Sequence, residues 1–150
     1  MKKTIIFDLD GTLALIDERR RVSDDGNGKI DWDKFFDPKN IELDVPNEPV
    51  VHMCRTLKDD GFNIVIFSGR SDRTKDATIS WLKNNNVPFD KLHMRPEEHI
   101  FMPDNDLKVM WLNSVVDKDD IFMVFDDRDQ VIKMWRENGI VVFQVADGNF

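Results

Sequence analysis

Residues 5–14 read IIFDLDGTLA: an apolar run that ends in two aspartates one residue apart, Asp8 and Asp10, and then meets Gly11. An apolar run without polar alternation is the pattern of a strand buried on both faces of its sheet. Thr4 to Asp8 is therefore read as a strand, and Asn63 to Ser68, Lys91 to Met94, Ile121 to Phe125 and Ile140 to Val145 share its character. Helical spacing fills the gaps. Val50, Val51, Cys54 and Leu57 form one apolar stripe that stops before Gly61, and Leu107, Met110, Trp111, Ser114 and Val115 form another. Asp129 is the expected cap of a helix through Val131, Ile132 and Trp135, with Gly139 just past its end. Alternating strands and helices predict a three-layer, Rossmann-like α/β fold, a five-stranded parallel sheet with helices on both faces. Ligands of such a sheet gather beyond the carboxyl ends of its strands.

The polar residues fall where that geometry needs them. Asp8 and Asp10 close the first strand, Ser68-Gly69-Arg70 the second and Asp126-Asp127 the fourth, while Arg95 follows the third. The segment from Leu13 to Asn47 breaks the regularity: it is polar and acidic, with Gly26, Gly28, Pro38 and Pro46. Residues 14–47 are too few for a separate domain and read as a small flap or minimal cap over the strand ends, within one domain spanning 1–150.

Composition narrows the class. With 41% hydrophobic and 33% charged residues in 150, the chain has the balance of a soluble globular protein rather than a disordered one. Cys54 is the only cysteine, which excludes an intramolecular disulfide and a cysteine-based metal site and suits a reducing compartment. Asp8 interrupts the first apolar run too early for a signal-peptide core, and no stretch is long enough to span a bilayer, so a cytoplasmic location and no membrane partner are expected. A net charge of -8 argues against broad gripping of a duplex, which relies on many Lys and Arg contacts to phosphates. A small or end-localised phosphorylated substrate remains compatible with it.

An Asp-x-Asp-Gly turn alone can be a solvated turn. Its company changes the reading, because Asp126-Asp127 and Ser68-Gly69-Arg70 sit at other strand ends, and Lys108 lies on a helix before the Asp126 strand. Carboxylates that converge repel one another, so a site that gathers them calls for a cation, and oxygen-only ligands point to Mg²⁺. Lysine and serine donors beside that cation suggest a phosphate.

Asp8-Leu9-Asp10-Gly11-Thr12, then Ser68-Gly69-Arg70, then Lys108, then Asp126-Asp127 resembles the four ordered motifs of the haloacid dehalogenase-like phosphohydrolases. Within them the chain is similar to the 3′-phosphatase domains of polynucleotide kinase-phosphatases of the T-even phage type, through IIFDLDGTLA, VPNEPVV, IVIFSGR, DLKVMW and FDDRDQVIKMWRENGIVVFQVADGNF. The resemblance implies that Asp8 is the nucleophile, forming an aspartyl-phosphate, and that Asp10 is the general acid and base. The spacing suits this, since a residue two positions on returns to the same side of an extended segment. It further implies Mg²⁺ held by Asp8, Asp10 through its carbonyl, and the Asp126-Asp127 pair, which are not ranked. Ser68 and the Gly69 backbone would hold phosphate oxygens, and Lys108 would neutralise charge on the transferring group. Thr12, counted with the phosphate-binding residues, is expected to hydrogen-bond within the motif turn; Asp104, four residues before Lys108 on one helical face, reads as an exposed pair with it, with orientation of the lysine as the alternative. No Gly-x-x-x-x-Gly-Lys-Ser/Thr loop is present, so kinase activity is not expected.

A minimal cap leaves the cleft open to a polymer end, which favours 3′-phosphorylated DNA or RNA ends as substrate. Free nucleotides or another small phosphomonoester are the alternative, and protein partners are unknown. Arg70 and Arg95 are candidates for contacting additional phosphates. Arg19-Arg20-Arg21 reads as a solvated face with guidance of an anionic strand as the alternative; Trp32 in IDWDKFF reads as packing the flap onto the core, with base stacking as the alternative. The flap departs from the phage-type pattern, with Asp24 to Lys29 and Phe35-Phe36-Asp37-Pro38 added. Trp81, Trp111 and Trp135 are read as core, Cys54 as a buried apolar residue, and His52, His93 and His99 carry no metal-ligand spacing. A noncatalytic phosphate-binding scaffold would be expected to lack the nucleophile, acid or lysine, yet Asp8, Asp10 and Lys108 are all present.

Overall fold

The structure, a computed structural model, describes residues 3–150. In chain order its regular elements are β1 (Thr4–Phe7), β2 (Ala14–Leu15), α1 (Asp17–Val22), α2 (Trp32–Phe35), α3 (Pro38–Ile41), β3 (Val45–Pro46), α4 (Glu48–Asp59), β4 (Asn63–Ser71), α5 (Lys75–Asn84), β5 (Lys91–Arg95), α6 (Asp104–Ser114), β6 (Ile121–Asp126), α7 (Asp129–Glu137) and β7 (Val142–Gln144). Five strands form one parallel sheet in the order β5-β4-β1-β6-β7. β1 lies between β4 and β6, where the strand order reverses, so its carboxyl end opens onto the crevice that α/β sheets use for ligands.

Side-chain alternation along the strands divides the core. Ile5, Phe7, Ile64 and Ile66 pack with Val51, Cys54 and Leu57 of α4 and Trp81 and Leu82 of α5. Their neighbours Ile6, Val65, Phe67 and Val124 face the other way, onto Leu107 and Trp111 of α6 and Val131, Ile132 and Trp135 of α7. Because both faces are covered, the strands show no polar alternation, which is the pattern that marked them in the sequence. Phe7 stacks on Phe125 with ring centroids 4.7 Å apart, joining β1 to β6 just below the site.

Each of the other expected strands differs from its bounds by one or two residues at one end or both, and two further differences, at β4 and α7, have physical reasons. β4 continues to Ser71 instead of ending at Ser68, since Ser68 pairs with Met94 and Ser71 with Arg95, leaving Gly69 and Arg70 as a bulge between them. A bulge bends the strand and re-aims its side chains, and here it opens the ladder at the expected phosphate loop. The N-cap of α7 is Arg128, not Asp129, whose carboxylate instead accepts from Gln144 Nε2 at 2.7 Å.

Residues 14–47 are the segment read as the flap. Its neck is the antiparallel pair of β2 and β3, and α1, α2 and α3 form its body. Asp31 and Asp37 cap the starts of α2 and α3 through their side chains, so these four-residue helices have a defined geometry despite their length. No described helix is long and apolar enough to cross a membrane.

Cys54 is fully buried in the layer between α4 and the sheet, where burial pushes its thiol up to about 12. A neutral, inaccessible thiol is a poor nucleophile. Ellman's reagent is accordingly expected to leave the native protein unlabelled and to titrate one thiol in denaturant; rapid labelling without denaturant would contradict this packing.

Candidate active site

Asp8 is the first residue past β1, where its backbone N–H still donates to Phe125 O at 2.9 Å and so keeps it in line with the strand. Gly11 then reverses the chain with φ +82°, a left-handed conformation that favours glycine. A Cβ there would also lie 2.1 Å from Asp127 Oδ2, so the turn can approach the second acidic pair only without a side chain. Thr12, buried in the same turn, donates its hydroxyl to Asp8 Oδ2 at 3.1 Å. It acts on the candidate nucleophile's carboxylate, fixing its orientation.

Lys108 reaches the other Asp8 oxygen from α6. Its Nζ lies 2.8 Å from Asp8 Oδ1 and 2.9 Å from Asp126 Oδ2, with all three side chains buried. Burial by itself would lower the lysine's proton affinity, but Asp126 and Asp8 outweigh it and hold the ammonium protonated well above the ordinary lysine value. Asp126 is further held by Trp135 Nε1 on Oδ2 at 3.4 Å and by Asp127 N on Oδ1 at 2.8 Å. One carboxylate oxygen from each of Asp8, Asp126 and Asp127 falls within 4.8 Å of the others. Burial, then the charge of Asp126, push the Asp8 carboxyl well above its usual range despite Lys108, and burial likewise raises Asp127. Three carboxylates against one ammonium leave excess negative charge in a buried space, and the donor set is oxygen alone; this fits a hard divalent cation.

Asp10 turns to a separate network. Its Oδ1 accepts from Arg19 Nη2 at 2.9 Å and from Arg70 Nε at 2.8 Å. The same two arginines grip Asp44 of the flap, Arg19 through Nε at 3.0 Å and Arg70 through Nη2 at 2.6 Å, while Arg70 Nη1 donates to Thr78 Oγ1 at 3.1 Å. Burial would raise the Asp10 carboxyl, yet Arg70 and Arg19 outweigh it and hold it below the ordinary value. For Asp44 burial prevails over the same arginines, and its carboxyl is pushed up to about 6. Removing one partner from a buried ion pair leaves an uncompensated charge, at a cost of about 3–5 kcal/mol. The flap and the sheet are thus tied together at Asp10.

Several sequence expectations are relocated by this geometry. Arg70 is buried with its guanidinium committed to Asp10, Asp44 and Thr78, so it turns inward beside Asp10. Arg95 braces the neighbouring loop through Gly69 O at 2.9 Å, His99 O at 2.8 Å and Asp104 Oδ1 at 2.5 Å. Asp104 pairs with Arg95 and, at 3.2 Å, with Arg128, not with Lys108, because the lysine side chain runs inward to Asp8 and Asp126. Ser68 and Gly69 do sit at the bulge, where Arg70 N donates to Ser68 Oγ at 3.1 Å. The arginine run divides: Arg19 is buried in the site, Arg21 pairs with Glu18 and Arg20 is exposed. Trp32 is exposed on the flap, whereas Trp81, Trp111 and Trp135 are core residues. Arg19 and Asp44 are the site residues that sequence reasoning missed. Neither carries a local signal, since one lies in a charge run and the other in a polar loop.

Residues 2–150 match the family described as the polynucleotide kinase PNKP phosphatase domain. A protein of Autographa californica nuclear polyhedrosis virus, named a bifunctional polynucleotide kinase/RNA ligase, is 30% identical over 149 residues, covering 96% of this chain and 19% of its own length. A chain in the structure of a Pnkp1/Rnl/Hen1 complex aligns with a TM-score of 0.80 at 30% identity, over 100% of this chain and 48% of that one. L-2-haloacid dehalogenase from Xanthobacter autotrophicus shares the fold, with a TM-score of 0.68 at 13% identity over 97% of this chain and 78% of the enzyme. The chain therefore spans about a fifth of the viral relative and about half of the Pnkp1 complex chain. The strand-end carboxylates, the buried lysine and a match running from residue 2 to residue 150 lead to one conclusion: the chain belongs to the PNKP phosphatase domain family of haloacid dehalogenase-like phosphatases.

Proposed function

We propose that this phosphatase is a Mg²⁺-dependent phosphomonoesterase that removes 3′-phosphates from polynucleotide ends through an aspartyl-phosphate on Asp8. The observation that carries the reading is Asp8 itself: one oxygen is held by Lys108 and the other by Thr12, beside two further carboxylates at the reversal point of the sheet. The match to the polynucleotide kinase phosphatase domain and the names of the viral and Pnkp1 relatives support a nucleic-acid end as substrate. A flap this small would leave the strand ends open to a polynucleotide end.

In the first step an Asp8 oxygen forms a bond to phosphorus as the bond to the sugar 3′ oxygen breaks, and Asp10 supplies the proton that the departing alkoxide needs. Water then attacks the acyl phosphate, Asp10 takes its proton, and Asp8 is released with inorganic phosphate. The arginines refine this division of labour. Asp10 in their grip is ionised, the form required for the second step; the negative charge of an arriving phosphate raises a carboxyl's proton affinity and favours the acid form for the first. Lys108 stays cationic and offsets charge on Asp8 and on the transferring group. Ser68 and the Gly69 backbone would receive phosphate oxygens at the bulge. Asp8, Asp126 and Asp127, with the Asp10 carbonyl, would hold Mg²⁺, which supplies charge neutralisation between nucleophile and phosphate.

Asp8→Asn should fold with an unchanged far-UV spectrum, lose phosphatase activity and trap no acid-stable phosphate on the protein; retained hydrolysis would sink the mechanism. A 3′-phosphorylated oligonucleotide should be processed faster than a 5′-phosphorylated one and faster than mononucleotides. Preference for the 5′ end would overturn the assignment of the end.

Because Arg70 stands behind Asp10, Arg70→Lys is expected to lower kcat on the order of 100-fold, through misplacement of the acid, with little change in KM. A rise in KM alone would instead mark Arg70 as a substrate contact.

Mg²⁺ should also stabilise the fold by relieving the repulsion among Asp8, Asp126 and Asp127. At 100 times Kd, linkage gives about 2.7 kcal/mol, roughly 5–10 °C in Tm at this chain length. The carboxyls of Asp8 and Asp127 are raised, so the cation must displace protons that they hold at higher pH than usual. The Tm shift should therefore shrink as pH falls from about 8 to about 5, and Asp127→Asn should lose most of it; a pH-independent shift, or one kept by that variant, places the cation elsewhere.

A further inference from the structure

Trp32 is 58% exposed, whereas Trp81, Trp111 and Trp135 are exposed by 6% or less. A single apolar residue in solvent needs no explanation. This one differs in how it is held. Its ring stands edge-on to Phe35, with centroids 5.3 Å apart and planes at 82°, and lies nearly parallel to Phe36 at 5.8 Å and 21°. Asp31 caps its helix by accepting from Asp33 N and Lys34 N, and Asn40 Nδ2 donates to Lys34 O at 2.7 Å. The indole is consequently presented on an ordered ledge and not on a loose loop.

The ledge leads to the reacting centre. The Phe35 ring carries the Arg19 guanidinium 4.3 Å from its centroid, and Arg19 Nη2 bonds Asp10 Oδ1 at 2.9 Å. Asp10, Arg19, Phe35 and Trp32 thus form an unbroken series of contacts from the acid to solvent. On the other side Arg73, from the turn after β4, lies 5.6 Å from the Phe36 centroid and pairs with Asp33 at 3.7 Å, its side chain about half exposed. An exposed indole on a phenylalanine that an arginine also contacts offers the two kinds of contact that a single-stranded nucleotide uses, stacking for its base and a cation for its phosphate. One guanidinium and one phenyl ring link the indole to Asp10, so Trp32 belongs to the same packed unit as the candidate acid.

We propose that Trp32, with Phe36 and Arg73 beside it, is a stacking subsite for a nucleobase at the 3′ end of the strand being dephosphorylated. The inference rests on the polynucleotide reading above and adds to it a residue that distinguishes strands from small phosphate esters. Stacking is indifferent to base identity because every base has a π-face, so the subsite selects for an unpaired end and not for a sequence.

The test compares the native protein, Trp32→Ala and Trp32→Phe on a 3′-phosphorylated single-stranded oligonucleotide, on the same oligonucleotide made abasic at the last or next-to-last position, and on p-nitrophenyl phosphate. Trp32→Ala should raise KM for the intact oligonucleotide about 10-fold, within the range of base–aromatic stacking, and leave p-nitrophenyl phosphate hydrolysis unchanged; Trp32→Phe should recover most of the loss. The native protein should lose a similar factor on one of the two abasic strands, where Trp32→Ala loses nothing further. Binding of the oligonucleotide to the Asp8→Asn protein should quench the exposed-tryptophan emission, and the quench should vanish in Asp8→Asn with Trp32→Ala. Equal KM values for native and Trp32→Ala on the intact strand overturn the subsite, as does an equal loss on p-nitrophenyl phosphate, which would make Trp32 a support of the flap. Failure of the polynucleotide reading has its own signature: the native protein would then show no advantage for the oligonucleotide over p-nitrophenyl phosphate, whatever stands at position 32.

Discussion

Excess negative charge at the carboxyl ends of β1 and β6 is the constraint around which the site is organised. Asp8, Asp126 and Asp127 meet where the backbone is closely packed, and Lys108 compensates only part of their charge. Isolated buried carboxylates are so costly that they either take up protons or find a cation. The raised Asp8 and Asp127 carboxyls express the first response and the oxygen-only donor set invites the second. The same constraint explains neighbouring residues with no chemistry of their own. Gly11 has no side chain because one would strike Asp127, Thr12 spends its hydroxyl on Asp8, and Trp135 directs its indole N–H to Asp126 from the core of α7.

A second group of charges has a different role. Arg19 and Arg70 each bond both Asp10 and Asp44, so two cations and two anions are nearly balanced. Through this group the flap, which supplies Arg19 and Asp44, is joined to the sheet, which supplies Arg70. Asp8 and Asp10 are only two residues apart, yet one lies among carboxylates and the other between guanidiniums. Their carboxyls consequently shift in opposite directions, Asp8 upward through burial and its acidic neighbours and Asp10 downward through Arg70 and Arg19.

The strands and their polar ends were legible because burial on both sheet faces erases polar alternation and because the motif residues lie next to strand termini. Lys108 was also legible, since its position in the ordered motifs marked it. Arg70 was legible as a strand-end residue but not in its contacts. Its position after Ser68-Gly69 suggested an outward arginine, whereas the bulge in β4 turns it inward to Asp10 and Asp44. Arg19 was hidden in a run of three arginines, which sequence alone presents as one solvated face. A six-residue helix sends the three side chains in different directions, and only Arg19 meets the buried acids. Trp32 shows the converse, an aromatic residue expected to fasten the flap to the core that instead stacks on flap phenylalanines and stays in solvent.

By itself the sequence determined the alternation of strands and helices, the parallel sheet and the placing of carboxylates at the strand ends, because those follow from hydrophobic period and from residues adjacent to strand ends. The tertiary structure decided which cation serves which anion. Arg19, Asp44 and Arg70 come from different parts of the chain and meet Asp10 only in the folded molecule, so no local pattern encodes their pairing. The pairing of buried charges depends on angstrom distances and on exclusion of water, and both are properties of the packed molecule.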